Sequence, residues 1–204
     1  FDLEYCENSS IEKAIENLKY TLSVMPKNAT IGVKSPFSKI ASFKKLIELL
    51  IGHTSILVLS DLSSSEKVDV PVWISGSDIE IWGEITSKSQ QWIIDDPRFR
   101  SIIIKGSESG GSIGSESSFV LSAHLIPKSK KPVYVQGGVG FHTAAACFVA
   151  GAKGVIVDDH LLAMEQSPLP IQWKKKIGNL AIENTLVIKR NNKRYRIVNH
   201  PFFK

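Results

Sequence analysis

The sequence is poor in the features that mark most specialised chains. No stretch of 18 apolar residues occurs in its 204 residues, so nothing reads as a membrane-spanning helix. The N-terminus lacks the basic region, apolar core and small-residue cleavage site of a secretory signal. Two cysteines, Cys6 and Cys147, are too few for a disulfide framework, which points to reduced thiols and a cytoplasmic chain. His124 and His160 have no partners at metal-ligand spacing, so no zinc or iron site is expected. No G-x-G-x-x-G follows an apolar run, which counts against a dinucleotide-binding sheet. Aromatic residues make up 8% of the chain and do not interleave the C-terminal cations, so no nucleic-acid stacking surface is expected.

What is present is an ordinary globular composition, 43% hydrophobic, in a chain of one-domain size. Such a chain buries roughly 70% of its unfolded surface. It begins at Phe1 with FDLEY, which reads as a strand in mid-fold, so an internal piece of a longer protein is expected. The net charge of +5 is unevenly placed. Residues 171–204 carry nine Lys or Arg against one acid, Glu183, whereas residues 1–170 are net negative. The plain reading of that tail is a solvated exit from the domain.

The most informative stretch is PVYVQGGVGFHTAAACFVAGAKGVIVDD, from Pro132 to Asp159. An apolar run ends at Gly137-Gly138, an Ala-rich helical segment runs from His142 to Ala150, and Gly151 closes it. A second apolar run, Gly154 to Val157, follows. This is one right-handed βαβ unit. Its glycines either let the backbone and the helix N-terminus approach an anion or make a tight turn.

Further apolar runs suit parallel strands at Phe1–Tyr5, Ala29–Val33, Ser55–Ser60, Pro71–Ser75 and Ser101–Lys105. Helical spacing covers Ile11–Leu22 and Phe43–Leu50, a stretch from about Asp78 that ends before Asp95, Phe119–His124 and Trp173–Leu180. Thr185–Lys189 and Arg194–Val198 flank Asn191-Asn192 as a hairpin. Seven strands alternating with helices imply a parallel α/β fold. The expectation is a (β/α)8 TIM barrel lacking its first strand over residues 1–170, with 171–204 as a basic extension. An open Rossmann-like sheet is the rival.

Both glycine-rich segments follow strand ends, where such folds place ligands. Lys105 would bring a cation to a barrel mouth, suited to a phosphate, carboxylate or flavin ring. Glu108 could act as acid or base, or pair with Lys105. Gly110 and Gly111 would let backbone lie against a flat ligand or belong to a mobile Ser/Gly loop. His142, at a helix start, reads as a neutral capping or core residue before it reads as a base.

KGSESGGSIGSESSFVL together with VYVQGGVGFHTAAACFVAGAKGVIVDDHLLAMEQSPLP resembles the nitronate monooxygenase (2-nitropropane dioxygenase-like) family of FMN barrels. The likeness is strongest to versions embedded in modular polyketide synthases, and it covers about residues 100–170. It implies a (β/α)8 barrel with FMN, acting as a nitronate monooxygenase or a flavin-dependent enoyl reductase. By this resemblance Gly110 and Gly111 lie beside the flavin, and Gly137 and Gly138 hold its phosphate. Lys105 and Gln136, at the ends of the two strands, join them as cofactor contacts.

Two positions depart from the family. Ser112 stands where the free enzymes carry a catalytic histidine, and a hydroxyl cannot replace imidazole as a base near neutral pH. Asp158-Asp159 stands where they carry a Gly-Thr phosphate contact. The implied substrates are acyl or nitronate small molecules, and the implied partner is an acyl carrier domain of the same synthase. A non-catalytic structural or docking barrel and a flavin-free, phosphate-binding barrel are the alternatives.

Overall fold

The computed structural model describes residues 2–4, 6, 10–63, 69–157, 159–167 and 169–199. Its backbone contacts divide into two compact units, Phe1–Ile85 with Ser89–Ile102, and Thr86–Lys88 with Ile103–Lys204.

The first unit begins with helix α1 (Ile11–Val24), strand β1 (Ile31–Pro36) and helix α2 (Lys44–Glu48). Strand β2 (Ser55–Ser60), helix α3 (Val72–Ser75), strand β3 (Glu80–Ile85) and helix α4 (Trp92–Asp95) follow. Strand β4 (Ser101–Lys105) leads into the second unit. There lie β5 (Gly111–Ile113), α5 (Ser118–Leu125), β6 (Val133–Gln136), α6 (Phe141–Val149), β7 (Gly154–Ile156) and α7 (Asp159–Leu162). Helix α8 (Ile171–Gly178) and strands β8 (Thr185–Arg190) and β9 (Lys193–Val198) complete it.

Six strands form a parallel sheet in the order β1-β2-β3-β4-β6-β7, a half-barrel that matches an incomplete (β/α)8 barrel. A second, three-stranded sheet has the order β5-β9-β8. Ahead of β1, Asp2 makes a parallel bridge to Lys34 and the Leu3 N–H donates to Lys34 O at 2.8 Å. The Phe1–Tyr5 expectation is thus met at its centre, while Phe1 and Tyr5 lie outside the described residues.

Alternation along the strands explains the core. On β1, Ile31 and Val33 are buried while Gly32 and Lys34 are more open; on β2, Leu57 and Leu59 are buried and Ile56 and Val58 half-buried. One face of each strand is thus packed with Ile, Val and Leu, and the other holds small, polar or partly wetted residues. Leu18, Phe43, Leu46, Ile47 and Leu50, from α1 and the α2 region, are fully buried, and Ile74 of α3, Ile93 of α4 and Phe99 join them in the first unit's core.

The structure corrects the sequence reading between Pro71 and Asp95. Pro71–Ser75 is not a strand: Val72–Ser75 is the short helix α3, started by Pro71, whose fixed φ suits the entry to a helix. The strand lies instead at Glu80–Ile85, inside the stretch expected to be helical, and the helix there shrinks to Trp92–Asp95. EIWGEI escapes an apolar-run criterion because it alternates: Ile81, Gly83 and Ile85 are buried between two glutamates and a tryptophan. Gly83 is obligatory at this crossing. A Cβ there would lie 3.0 Å from the Phe99 ring and overlap Ile93 Cγ2.

The same strand carries an unexpected charge cluster. Lys34 Nζ lies 2.9 Å from Glu84 Oε2, 3.0 Å from Glu4 Oε2 and 3.8 Å from Asp2 Oδ2. The Glu84 contact is a close ion pair, and the Glu84 side chain is only 3% exposed. Burial alone would lower the Lys34 pKa. The charges of Glu84, Asp2 and Glu4 outweigh it and hold the ammonium well above the ordinary lysine value of 10.5.

In the second unit, Ile103, Ile104, Leu121, Leu125, Val133 and Val135 form the core. The βαβ unit from Val133 to Ile156 forms as expected, with β6 and β7 parallel and Gly151 at φ +99° closing α6. The hairpin also forms, turning at Asn191 (φ 50°) and Asn192 (φ 60°), the paired left-handed residues of a type I′ turn. Gly106–Ser118 differs from the mobile-loop alternative, because Gly111–Ile113 is strand β5, paired antiparallel with β9.

Candidate functional site

The two glycine-rich segments meet in the second unit. Gly106 N–H donates to Gln136 O at 3.0 Å, tying the end of β4 to the end of β6. Beyond it the chain turns tightly, with Ser109 N–H donating to Gly106 O at 3.1 Å and Ser107 N–H to Glu116 O at 2.9 Å. Gly106 itself is crowded, since a Cβ there would overlap Ser118 N and the Glu108 carboxylate. Gly111 adopts φ +75°, a conformation that favours glycine, just where β5 begins.

Opposite stands the second pair, with Gly137 at φ +103° and Gly138 at φ +62°. A Cβ on Gly137 would lie 2.6 Å from Ser109 Oγ, so the first loop closes against the bare Cα of the second. The Ser109 hydroxyl is buried in this contact, 3% exposed, with no hydrogen-bond partner among the described residues. A buried hydroxyl left unsatisfied is costly, by about 1–3 kcal/mol, and such atoms commonly await a water, ion or ligand.

Helix α6 starts immediately after. Gly140 is its N-cap, and Thr143 Oγ1 accepts from Gly140 N–H at 2.6 Å and is 2.8 Å from Gly138 O, to which it donates. The capping falls to Thr143 and not to His142. His142 is exposed and packs edge-on against the equally exposed Phe141, with ring centroids 5.5 Å apart. It is therefore not a core histidine.

The remaining expected residues are placed as follows. Lys105 is buried, 2% exposed, at the end of β4. The Glu108 carboxylate accepts from Ser118 N–H at 3.0 and 3.3 Å and lies 3.4 Å from Ser118 Oγ. With Ser117 Oγ accepting from Val120 N–H, it caps α5 and places its charge at that helix's positive end. Gly138 faces the Glu108 stem, its added Cβ falling 3.6 Å from Glu108 Cβ. Gly110, Gly111, Ser112 and Gln136 are half-buried. Asp158 and the side chain of Asp159 lie outside the described part.

Three contributors were missed in the sequence. Ser109 gave no signal beyond its place in a Ser/Gly run. Thr143 sits three residues after its N-cap, a recognisable capping position. The hairpin's pairing partner left no mark in the sequence: β9 pairs with β5 in the register Gly111↔Arg196, Ser112↔Tyr195 and Ile113↔Arg194. Arg196 adds side-chain ties, Nε donating to Ser107 O at 2.7 Å and Nη1 to Thr185 Oγ1 at 2.8 Å.

A cavity of about 460 Å³ opens elsewhere, in the first unit, lined by Thr30, His53, Thr54, Ser55, Asp78 and Glu80. It lies at the N-terminal ends of β1–β3, whereas barrels of this type bind at the C-terminal ends. Among the described residues, no three His, Cys, Asp or Glu side chains gather as a metal site, and no helix is long and apolar enough to cross a membrane.

No family model matches the sequence, and no curated protein matches it. Solved structures share its fold. FabK from Thermotoga maritima superposes with a TM-score of 0.78 at 20% identity, over 98% of this chain and 62% of that one. Nitroalkane oxidase from Streptomyces ansochromogenes gives 0.72 at 14% identity, over 100% of this chain and 70% of that one. The enoyl reductase domain of MlnA, from the macrolactin biosynthesis cluster of Bacillus amyloliquefaciens, gives 0.63 at 15% identity, over 95% of this chain and 56% of that one. The chain thus shares the fold of these structures, and it spans 62% of the length of the FabK chain.

Proposed function

We propose that the chain is the barrel part of an FMN-linked oxidoreductase of the nitronate monooxygenase or enoyl reductase type, within a larger polyketide or fatty-acid synthase. The observation that carries the proposal is the closure of the two glycine segments on one another. Left-handed Gly137 and Gly138, the N-terminus of α6 and the partnerless Ser109 hydroxyl converge there. These groups fit a phosphate: the backbone N–H groups of the first turn of α6 have no intrahelical acceptors, and the helix dipole favours an anion. Glu108 does not spoil the fit, because its carboxylate is turned onto Ser118.

In this reading Gly137 and Gly138, with Ser109, hold the FMN phosphate, and Gly110, Gly111, Lys105 and Gln136 lie against the ring system. Bound FMN would supply transfer of an electron pair to or from an acyl or nitronate substrate. The chain's own residues bind, orient and shield it, with the hairpin pinning the loop through Arg196. Residues 1–170 form the barrel part and 171–204 an extension, whose basic hairpin tip suits an acidic acyl carrier domain.

Two observations favour a second reading, a barrel that has lost its chemistry. Ser112 replaces the family histidine, and Glu108 is committed to capping α5. One preparation separates the two. The purified protein should show flavin absorbance near 375 and 450 nm, and Gly138→Val should abolish it while the unfolding midpoint is held. A wild type without flavin would leave the non-catalytic barrel, and an unchanged flavin content in the variant would retire the phosphate assignment.

A further inference from the structure

We propose that the cavity in the first unit is a binding site for a small aliphatic diamine, with the Asp78 and Glu80 carboxylates each receiving one of its ammonium groups. The inference is independent of the flavin reading, because every residue that lines the cavity belongs to the first unit.

The cavity has a volume of about 460 Å³, within the range of small-molecule sites. Its lining follows the strand register. Ile56 of β2 pairs with Glu80 of β3, so both side chains project to one face of the sheet. Thr54 stands two residues before Ile56, Asp78 two residues before Glu80, and Thr30 at the entrance to β1. The Ile31 N–H donates to Thr54 O at 3.1 Å, which ties the entrances of β1 and β2 together. Gly32, paired with Ile56, adds no side chain here. A Cβ on it would meet nothing within 4 Å, so the space beside Ile56 is open.

Charge then decides the ligand. Asp78 and Glu80 line the cavity, and no lysine or arginine does. The side chains of Thr30, His53, Thr54 and Asp78 make no hydrogen bond or ion pair among the described residues. Glu80 Oε2 accepts from Trp82 Nε1 at 3.1 Å, which holds the carboxylate and leaves its other oxygen able to accept. Carboxylates without counter-charges in a cleft draw cations.

A single metal ion is the wrong occupant. The two carboxylates and His53 line one cavity, yet among the described residues no three such groups gather closely enough to hold a metal. The spacing suits a cation with length. Two residues of chain span at most about 7 Å, a separation that the ammonium groups of a four-carbon diamine can bridge. Its methylene stem can lie against Ile56, and the hydroxyls of Thr30 and Thr54 offer acceptors to the remaining ammonium protons.

The test uses the complete chain with 1,4-diaminobutane as the probe, read by calorimetry at low salt. The comparison ligands are 1,4-butanediol, matched in length but uncharged, and magnesium chloride. Wild type should bind the diamine at one site, and more tightly than either comparison ligand. Asp78→Asn and Glu80→Gln should each weaken diamine binding about fivefold, the worth of one partly exposed charge pair. The unfolding midpoint should hold in both, since glutamine keeps an acceptor for Trp82. Glu12→Gln removes an exposed acid of α1 that does not line the cavity, and binding there should stay within twofold of wild type. An equal loss in Glu12→Gln would reduce the effect to general charge attraction and overturn the site. Diamine binding within twofold of wild type in either cavity variant also overturns it, as does a wild type that prefers magnesium or the diol or binds no diamine. Flavin content does not enter the readout, so the result stands whether or not the chain holds FMN.

Discussion

Lys34→Met is the most demanding test of how the first unit is held together. The ammonium is the shared counter-charge of Glu84 at 2.9 Å and Glu4 at 3.0 Å, with Asp2 at 3.8 Å on the more open side. At the effective dielectric that suits protein ion pairs, each 3 Å contact is worth about 5 kcal/mol before desolvation is subtracted. Methionine fills the same space and removes the charge, leaving two buried carboxylates without their counter-ion. Breaking a buried pair in this way costs about 3–5 kcal/mol. The expected outcome in urea denaturation is a lower midpoint at unchanged slope, equivalent to that loss.

The pH dependence gives the argument a second edge. The Lys34 pKa is raised on folding, so the stabilisation is complete below the ordinary lysine value of 10.5 and fades only as pH climbs through the still higher folded value. Wild type should therefore keep this contribution across the neutral and mildly alkaline range. Lys34→Met with Glu84→Leu should recover part of the loss, since an apolar pair needs no counter-charge. A single variant within 1 kcal/mol of wild type at pH 7 would refute the reasoning.

Two further outcomes follow from other parts of the fold. Gly83→Ala should destabilise by about 1–3 kcal/mol, because its methyl would enter the space of Ile93 and Phe99; an unchanged melting curve would show that α4 can give way. Reversing Lys189, Arg190, Lys193 and Arg194 to Glu should slow association with an acidic carrier domain several-fold at low salt, an effect that shrinks as the Debye length falls below about 8 Å; equal rates for both proteins at low salt would leave the hairpin tip without a docking role.

How far the sequence carried the fold depended on whether each signal was local. The βαβ unit announced itself through Gly137-Gly138, the alanine-rich helix and Gly151, all within thirty residues. Asn191-Asn192 marked the hairpin because few residues tolerate two successive left-handed conformations. Strand β3 was hidden by its own charges: Glu84 is buried through an ion pair with Lys34, a residue fifty positions earlier. Pro71–Ser75 took its place because PVWIS is as apolar as a strand, although Val72 is exposed and Ile74 alone is fully buried. At the site, the glycines were legible through their conformational needs. The burial of Ser109 and the pairing of Ser112 with Tyr195 were not, since both arise from contacts between distant segments.

The pairing of β5 with β9 also fixes when the site can come into being. Arg196 reaches Ser107 across 89 positions of sequence, and β9 lies beyond every strand of the parallel sheet. Loop-closure entropy makes such a contact late even in a free chain. On a ribosome it is later still, because synthesis proceeds at about 5–20 residues per second and the parallel strands emerge first. The scaffold can therefore assemble with its glycine loop unpinned, and the loop acquires its fixed shape only once the hairpin has been made and has docked. Assembly of the glycine-rich loop is thereby timed to the end of translation of this segment.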